Sequence, residues 1–177
     1  MTLEQLIDGC KKNDIVAQEL LYRQFSSKLF AVSIKYSRNY VEAQDNLQDG
    51  FLLILQKIKK FDNKGSFEGW AKRVIINNIL DQYRKTTFLE IVTNEIPDEI
   101  DVELETHDLS VDFLMEIIKE LPTRYRLVFN LYAIDDYSHK EIANRLNISV
   151  GTSKSNLSRA RTILKHKIEN QKTTKFL

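Results

Sequence analysis

The chain of 177 residues carries 26 basic and 25 acidic side chains, which leaves a net charge of +1 at pH 7. Its length allows one domain or two small ones, and no apolar run approaches the length of a membrane span. Cys10 is the only cysteine and the first residues lack a signal-peptide core, so we expect a cytoplasmic protein with no disulfide and no membrane insertion. Because glycine and proline are scarce and the apolar spacing is helical almost throughout, we predict an all-α fold.

The charge is distributed unevenly along the chain. Residues 1–85 carry a net charge of +4, residues 86–120 carry −10, and residues 121–177 carry +7. Two cationic blocks around an acidic connector indicate two small helical domains that face nucleic acid and are joined by a flexible linker. Chance clustering of charges on solvated surfaces is the alternative. We place the first domain at residues 1–86, the linker at 87–109, the second domain at 110–170 and a frayed polar tail at 171–177.

The first two predicted helices span residues 3–12 and 15–38. Thr2 and Gln5 form a capping-box pattern at the start of the first helix. The second helix has apolar residues at core spacing, to which we assign a structural role alone. They are Ala17, Leu20, Leu21, Phe25, Leu29, Phe30 and Ile34.

The third predicted helix, over residues 41–60, has two contrasting faces. The core face is apolar and comprises Leu47, Phe51, Ile54, Ile58 and Phe61. The opposite face comprises Asp45, Gln48, Asp49, Leu52 and Gln56. A mixture of acidic and apolar side chains is typical of a docking surface for a basic partner. A single stray exposed leucine is the alternative.

A loop at residues 61–66 precedes a predicted helix over residues 67–85. One sector of this helix, about 80° wide at 100° per residue, contains Trp70, Arg73, Asn77, Asp81 and Arg84. A tryptophan among cations and amides suits contact with unpaired bases and phosphates. The alternative is a half-buried tryptophan beside a surface pair, such as Asp81 with Arg84.

The next predicted helices span residues 111–121 and 123–134. Ser110 is the predicted cap of the first, and Pro122 suits the opening turn of the second. We expect the second of these helices to supply core residues to the C-terminal part of the chain. They are Tyr125, Val128, Phe129 and Tyr132.

The C-terminal part of the chain predicts two further helices around a tight turn. Ser138 and Glu141 form a capping box for the first helix, Asn147 breaks its periodicity, and Ser149 caps the second. The inward stripe of the second helix comprises Val150, Ser153, Leu157, Ala160 and Leu164. Two short helices joined in this way form a helix-turn-helix, which places its second helix in the DNA major groove.

The outward side of that second helix is small, polar and basic. It comprises Gly151, Thr152, Ser155, Arg159 and Thr162, with Lys154, Ser158 and Arg161 along one flank. Small hydroxyl groups allow close approach to DNA, and the cations can neutralise phosphates or reach guanine edges. A solvated basic helix in an ordinary bundle is the alternative.

Catalytic and metal-binding patterns are missing from the sequence. His107, His139 and His166 are scattered, and none is at metal-ligand spacing with cysteine or carboxylate side chains. The sequence contains no P-loop, no GxSxG motif and no glycine-rich dinucleotide loop. We therefore expect no enzymatic activity, no cofactor and no metal.

Three ordered motifs carry a resemblance to a known family. They are AQDNLQDGFLLILQKIKKFD at residues 43–62, GSFEGWAKRVIINNILDQYRK at 65–85, and LPTRYRLVFNLYAIDDYSHKEIANRLNISVGTSKSNLSRAR at 121–161. Over nearly its whole length the chain resembles the sigma-70 family of RNA polymerase sigma factors, and specifically the small extracytoplasmic-function (ECF) type. The resemblance implies a region 2 helical bundle and a region 4 helix-turn-helix on either side of the acidic linker.

The resemblance also implies a function, namely binding core RNA polymerase, directing it to specific promoters and helping to open promoter DNA. Together with the faces described above, it predicts three sets of contacts. The set for the β′ clamp of core polymerase is Asp45, Gln48, Asp49, Leu52 and Gln56. The set for the minus-ten element is Asp62, Asn63, Lys64, Ser66, Trp70, Arg73, Asn77 and Arg84. The set for the minus-thirty-five element is Thr152, Lys154, Ser155, Asn156, Ser158, Arg159 and Arg161.

Further partners implied by the resemblance are the β flap of the polymerase, promoter DNA and an anti-sigma factor. Two other classes of protein stay open. One is a helix-turn-helix regulator that binds duplex operators without being a polymerase subunit, and the acidic face of the third helix and Trp70 argue against it. The other is a helical adaptor that binds protein alone, which would leave the outward residues of the last helix without a role.

Three residues depart from the family pattern. Ser153 stands where an apolar residue is usual, Gly50 where a larger residue is common, and Asn156 where arginine is frequent. The last departure bears on the promoter sequence that is recognised, and not on the predicted function.

Overall fold

The computed structural model describes residues 1–87 and 110–174, and every regular element within these ranges is helical. The helices are α1 (Leu3–Lys11), α2 (Ile15–Tyr36), α3 (Tyr40–Lys57), α4 (Phe67–Thr87), α5 (Val111–Lys119), α6 (Thr123–Phe129), α7 (His139–Leu146) and α8 (Val150–Thr174). The predicted all-α class is confirmed. Contacts divide the chain into two compact units between Lys85 and Thr86. The acidic linker predicted at residues 87–109 lies, from residue 88 onward, outside the described residues.

The helices of the first unit begin at side-chain caps. Thr2 Oγ1 accepts a hydrogen bond from the Gln5 backbone N–H at 3.3 Å, and Gln5 Oε1 accepts from the Thr2 N–H at 2.8 Å, which is the predicted capping box. Asp14 caps α2, and Asn39 caps α3. Helix α3 was predicted to reach Lys60, but its last residues tighten into a 3₁₀ turn, Ile58–Lys60.

The core of the first unit is built around α2. This helix packs against α1 and α3, and the Phe25 ring meets the Phe67 ring of α4 edge-on with centroids 5.1 Å apart. Fully buried side chains in this unit include Leu21, Leu29, Ile54, Ile58, Ile75 and Leu80. Leu20, which was predicted to lie in the core, is 37% exposed because its neighbour Leu21 occupies the core side of that turn.

Helices α1 and α2 approach so closely at Gly9 that no side chain fits there. A Cβ built at Gly9 would lie 2.5 Å from the Cβ of Ala17, which is attached directly to the backbone of α2 and cannot turn away. We predict that Gly9→Ala lowers the free energy of unfolding by about 1–3 kcal/mol through overpacking, as measured by urea denaturation. The matched control is Gly69→Ala on α4, where the nearest heavy atom would lie at 3.9 Å. Helix propensity favours alanine at both sites, so equal stability of the two variants would contradict this account.

Gly50 explains one departure from the family pattern. This residue lies on the buried side of α3, where an added Cβ would collide with Ile75 Cδ1 of α4 and lie 3.3 Å from Ile75 Cγ1. Ile75 itself is fully buried. The isoleucine therefore fills the space that a larger residue at position 50 would occupy.

The second unit contains a change of helical phase. Ser110 caps α5 as predicted, and Pro122, which was predicted to suit the opening turn of the next helix, stands at the N-cap of α6. Helix α6 was predicted to run to Ile134 as one α-helix, but it continues after Phe129 as a π-helical turn, Asn130–Ile134. Each π turn holds more residues than an α turn and so rotates the positions that follow it. This rotation accounts for Tyr132, a predicted core residue that is 36% exposed.

The final helix is longer than predicted. Helix α8 continues to Thr174, whereas a frayed tail was expected after Asn170. The segment contains no glycine or proline, and its glutamine and lysine residues have good helix propensity. Polarity alone is therefore a poor signal for the end of a helix.

Candidate functional site

The helix-turn-helix is built from local backbone signals. Ser138 Oγ accepts from the Glu141 N–H at 3.3 Å, and Glu141 Oε2 accepts from the Ser138 N–H at 2.9 Å, so the predicted capping box starts α7. Asn147 ends α7 in the left-handed conformation, with φ 55° and ψ 48°, a region that asparagine tolerates better than most residues. Ser149 Oγ then accepts from the Thr152 N–H at 2.9 Å and starts α8. These caps fix a short turn between the two helices.

An apolar seam joins α7 to α8. Ile142 and Leu146 of α7, and Leu157 and Ala160 of α8, are buried. Val150 was predicted to belong to the same stripe, but it is 42% exposed, since it lies in the first turn of α8 before the seam begins. The seam orients the opposite side of α8 outward.

Ser153 is the polar exception in this seam, and the structure supplies its partner. The side chain is fully buried, and its Oγ lies 2.9 Å from Nδ1 of His139 at the start of α7. The His139 ring in turn stacks on Tyr132 with centroids 4.5 Å apart and an interplanar angle of 19°. A hydrogen bond thus ties the two helices together where an apolar contact was expected.

The predicted minus-thirty-five set divides by exposure. Lys154 is exposed, and five residues are partly exposed, namely Thr152, Ser155, Ser158, Arg159 and Arg161. Asn156 is only 8% exposed and lies on the inward side of α8. Its burial does not fit the prediction of a DNA contact, and 100° per residue places it about 40° from Ala160 and about 60° from Ser153, both of which are fully buried. We therefore leave Asn156 out of the sites proposed below.

Two residues missed by the sequence analysis lie beside Arg159. Tyr125 Oη of α6 accepts hydrogen bonds from Arg159 Nη1 and from Arg124 Nη2, both at 3.0 Å. Burial by itself would raise the pKa of the Tyr125 phenol, but the two guanidinium groups outweigh it and hold the pKa below its usual value. Tyr125 was predicted to be a core residue, which its 8% exposure bears out, yet its hydroxyl has this second role. No spacing rule connects positions 34 residues apart.

The predicted docking face of α3 is outward along its whole length. Asp45, Gln48, Asp49, Leu52 and Gln56 are all exposed, and Leu52 is 58% exposed. Val41, which the sequence analysis did not select, is 65% exposed and shares this face by helical spacing. Asp49 Oδ2 accepts from Gln82 Nε2 of α4 at 3.3 Å.

The loop before α4 presents the first part of the predicted minus-ten set. Asp62, Asn63, Lys64 and Ser66 are all exposed. Asp62 Oδ1 accepts from the Lys64 N–H at 3.1 Å, and Ser66 Oγ accepts from the Gly69 N–H at 3.3 Å. Asn63 and Gly65 have positive φ, at 59° and 91°. The loop is therefore a defined turn that ends in a helix cap.

Helix α4 carries the rest of this set. Trp70 is half-buried, and its ring packs on Phe61 and Phe67 with centroid distances of 5.4 and 5.6 Å. Arg73 is exposed and Asn77 is partly exposed. Arg84 forms the ion pair with Asp81 that the structural alternative predicted. Helix α4 thus combines an aromatic cluster that supports Trp70 with a polar outward sector.

The start of α4 is fixed to α2 by a charge cluster. Glu68 of α4 accepts from Lys28 of α2 at 2.7 Å and from Lys72 at 2.8 Å. These two hydrogen bonds lower the pKa of the Glu68 carboxyl from 4.5 to about 2. Since a carboxyl with a lowered pKa stabilises the fold only while it is ionised, this contribution is complete above pH 4.5 and is lost as the pH falls toward 2.

Glu68→Gln is therefore predicted to flatten the acid limb of the stability profile. The free energy of unfolding of the wild type should fall more steeply between pH 5 and pH 2.5 than that of the variant, as measured by urea denaturation at each pH. The control is Glu19→Gln, whose partner Arg23 lies on the same helix surface and is largely exposed. If the free energy of unfolding depended on pH in the same way for the wild type and Glu68→Gln, the stabilising role of the ionised Glu68 carboxyl would be contradicted.

Comparisons with known proteins decide the family. The sequence profile of Sigma-70 region 2 matches residues 21–88, and that of Sigma-70 region 4 matches residues 114–164. The RNA polymerase sigma-E factor of Streptomyces avermitilis is 31% identical over 74% of this chain and 73% of its own length. The chain belongs to the sigma-70 family of RNA polymerase sigma factors.

Further relatives place this sigma factor in the ECF group. The ECF RNA polymerase sigma factor SigW of Bacillus subtilis is 29% identical over 96% of this chain and 98% of its own length. Among solved structures, the sigma factor RpoE from Bartonella quintana, crystallised with the anti-sigma factor NepR, covers 85% of this chain and 96% of its own with a TM-score of 0.53. At 21% identity, that likeness concerns the fold.

Two further observations on this sigma factor concern the described residues alone. Within 1–87 and 110–174, no group of three or more histidine, cysteine and carboxylate side chains is placed to hold a metal ion. In the same part of the chain, no helix is both long and apolar enough to cross a membrane.

Proposed function

We propose that this sigma factor binds core RNA polymerase, directs it to specific promoters and helps to open the promoter duplex. The observation that carries the proposal is that both family regions are present in order, and that each presents an outward face of the matching chemistry. The region 2 unit presents the acidic and apolar face of α3, and the region 4 unit presents the basic face of α8.

The first role falls on the outward face of α3. Asp45, Asp49 and Leu52 combine two carboxylates with an exposed leucine, which suits a basic helical partner with an apolar contact at its centre. We assign this face to the β′ clamp, together with Gln48 and Gln56.

The second role falls on the loop before α4 and on α4 itself. The Trp70 ring is supported from behind by Phe61 and Phe67, so that it is held rigidly while part of its surface stays accessible. A fixed aromatic surface beside cations such as Arg73 suits an unpaired base with its phosphate. We assign the minus-ten element to this surface, with Asp62, Asn63, Lys64, Ser66, Asn77 and Arg84.

The third role falls on the outward face of α8. Lys154, Arg159 and Arg161 supply positive charge, and the hydroxyl groups between them are small enough for the helix to enter a major groove. We assign this face to the minus-thirty-five duplex, with Thr152, Ser155 and Ser158. The region 4 unit would also contact the β flap.

We further propose regulation by an anti-sigma factor in the cytoplasm, since the solved relative from B. quintana is in complex with one. The proposed role requires no cofactor and no catalysis by the chain itself. An independent helix-turn-helix regulator is the alternative, but the exposed acidic face of α3 would have no function in such a protein.

Purification with core RNA polymerase tests the proposed function. The full chain should bind core enzyme stably with one copy per polymerase. The holoenzyme should then select promoter fragments from a genomic library and initiate transcription on them. Operator binding by the chain alone, with no gain from core enzyme, would favour the regulator and contradict the proposal.

A further inference from the structure

Two arginine residues from different helices meet at the edge of the helix-turn-helix. Arg124 of α6 and Arg159 of α8 each donate a hydrogen bond of 3.0 Å to the same atom, Tyr125 Oη. Their guanidinium groups must therefore lie close together, although 34 residues separate Tyr125 from Arg159.

Tyr125 is a rigid anchor for both side chains. It is 8% exposed and belongs to α6, which packs directly against α8. The two guanidinium groups also lie over its ring, with Arg124 Cζ 4.8 Å and Arg159 Cζ 6.0 Å from the centroid. A cation over an aromatic ring is attracted by its quadrupole, so ring and hydroxyl together hold the arginine residues in place.

Arg124 carries a positive charge beside that of Arg159, and its contact with Tyr125 uses one of its N–H groups. A guanidinium group has five N–H donors in a planar fork, so Arg124 can hold Tyr125 and still make a bidentate contact with a phosphate.

The position of the pair indicates which anion it meets. Helical spacing places Arg159 at the edge of the outward sector of α8, on the side that faces α6. Arg124 is held just beyond that edge by Tyr125. Where a helix enters the major groove, groups at its edges face the sugar-phosphate walls, and central groups face the bases.

We propose that Arg124 binds a backbone phosphate of the minus-thirty-five duplex beside the contact made by Arg159. In this arrangement the Tyr125 hydroxyl is a positioning group that sets the distance between the two guanidinium groups. The inference rests on the proposed function, and it adds a DNA contact from α6, outside the helix-turn-helix.

The salt dependence of promoter binding tests the role of Arg124. Holoenzyme would be assembled with the wild type or with Arg124→Gln, and its affinity for the selected promoter fragments measured between 50 and 200 mM salt. One phosphate contact adds about 0.9 to the slope of log affinity against log salt concentration. The wild type should therefore lose about 3.5-fold more affinity than Arg124→Gln over this range. Because phosphates carry no sequence information, the change should be the same on fragments with a mutated minus-thirty-five element.

Lys119→Gln is the matched control, since it removes one exposed positive charge from α5 of the same unit. It should leave the slope unchanged, and Arg124→Lys should largely keep the wild-type slope.

Tyr125→Phe keeps the ring and removes the hydroxyl. It should weaken discrimination against a mutated minus-thirty-five element, because Arg159 loses the hydrogen bond that positions it. If the Tyr125 hydroxyl had a purely structural role, the substitution would lower thermal stability and leave discrimination intact.

The possible failures can be told apart. A wild-type slope in Arg124→Gln, with a wild-type holoenzyme that selects promoters normally, would overturn the phosphate contact alone. Equal loss of slope in Lys119→Gln and Arg124→Gln would reduce the effect to net charge and also overturn it. A wild-type chain that confers no promoter selectivity on core enzyme would overturn the proposed function as well.

Discussion

Asp49→Arg is expected to weaken binding to core RNA polymerase by about a hundredfold, because placing like charges together at an interface costs several kcal/mol. Asp49 is exposed on α3 and lies one helical turn from Asp45 and Leu52. Its hydrogen bond to Gln82 is long, at 3.3 Å, and exposed, so its loss should cost the fold little. Affinity would be measured by titration of labelled sigma factor with core enzyme, and the fold checked by circular dichroism.

The matched control is Asp8→Arg, which makes the same charge change at an exposed position on α1. It should bind core enzyme like the wild type. Equal weakening by both variants would mean that net charge, and not the face of α3, determines binding. Wild-type affinity of Asp49→Arg would remove this face from the interface.

Trp70→Ala is expected to impair promoter opening while closed-complex formation is less affected. Loss of base stacking costs about 1–3 kcal/mol per base, which corresponds to a 5- to 150-fold change. Permanganate reactivity of thymines on the selected promoters reports opening, and a gel shift reports the closed complex. Because the ring also packs on Phe61 and Phe67, Trp70→Phe serves as a control that keeps an aromatic surface.

Arg159→Ala is the counterpart of this experiment in region 4. It should weaken recognition of the upstream duplex by about 1–3 kcal/mol if the guanidinium group reaches a base, while DNA that is already bound should open normally. Equal permanganate reactivity with wild type and Trp70→Ala would remove Trp70 from the opening step. Loss of opening in Arg159→Ala at saturating concentration would contradict the division of roles.

Local interactions were the part of this fold that sequence predicts best. The capping boxes at Thr2 and Ser138 join residues three positions apart, so the start of each helix can be predicted from the local sequence. The outward face of α3 was also predicted, since both carboxylates and Leu52 follow one helical period.

The features that the sequence did not predict depend on the rotation of a helix about its axis and on contacts between residues far apart in the sequence. The burial of Tyr132 was wrongly predicted because a π turn rotates the helix, and no residue type is a signal for such a turn. Leu20 and Val150 lie at the margins of apolar stripes, where burial depends on how far a neighbouring helix extends. The grouping of Arg124 with Arg159 needs the packing of α6 on α8, which is a tertiary contact.

The bond between Ser153 and His139 has a consequence for exchanging DNA specificity between sigma factors. If α8 were replaced by the corresponding helix of a relative with an apolar residue at position 153, His139 Nδ1 would lose its hydroxyl partner. This loss would occur even if every DNA-facing residue of the new helix were suitable. Position 139 belongs to the other helix and would be left behind by such a graft. In this chain the unit that can be exchanged is therefore the recognition helix together with His139. A chimaera that separates them lacks the hydrogen bond between α7 and α8.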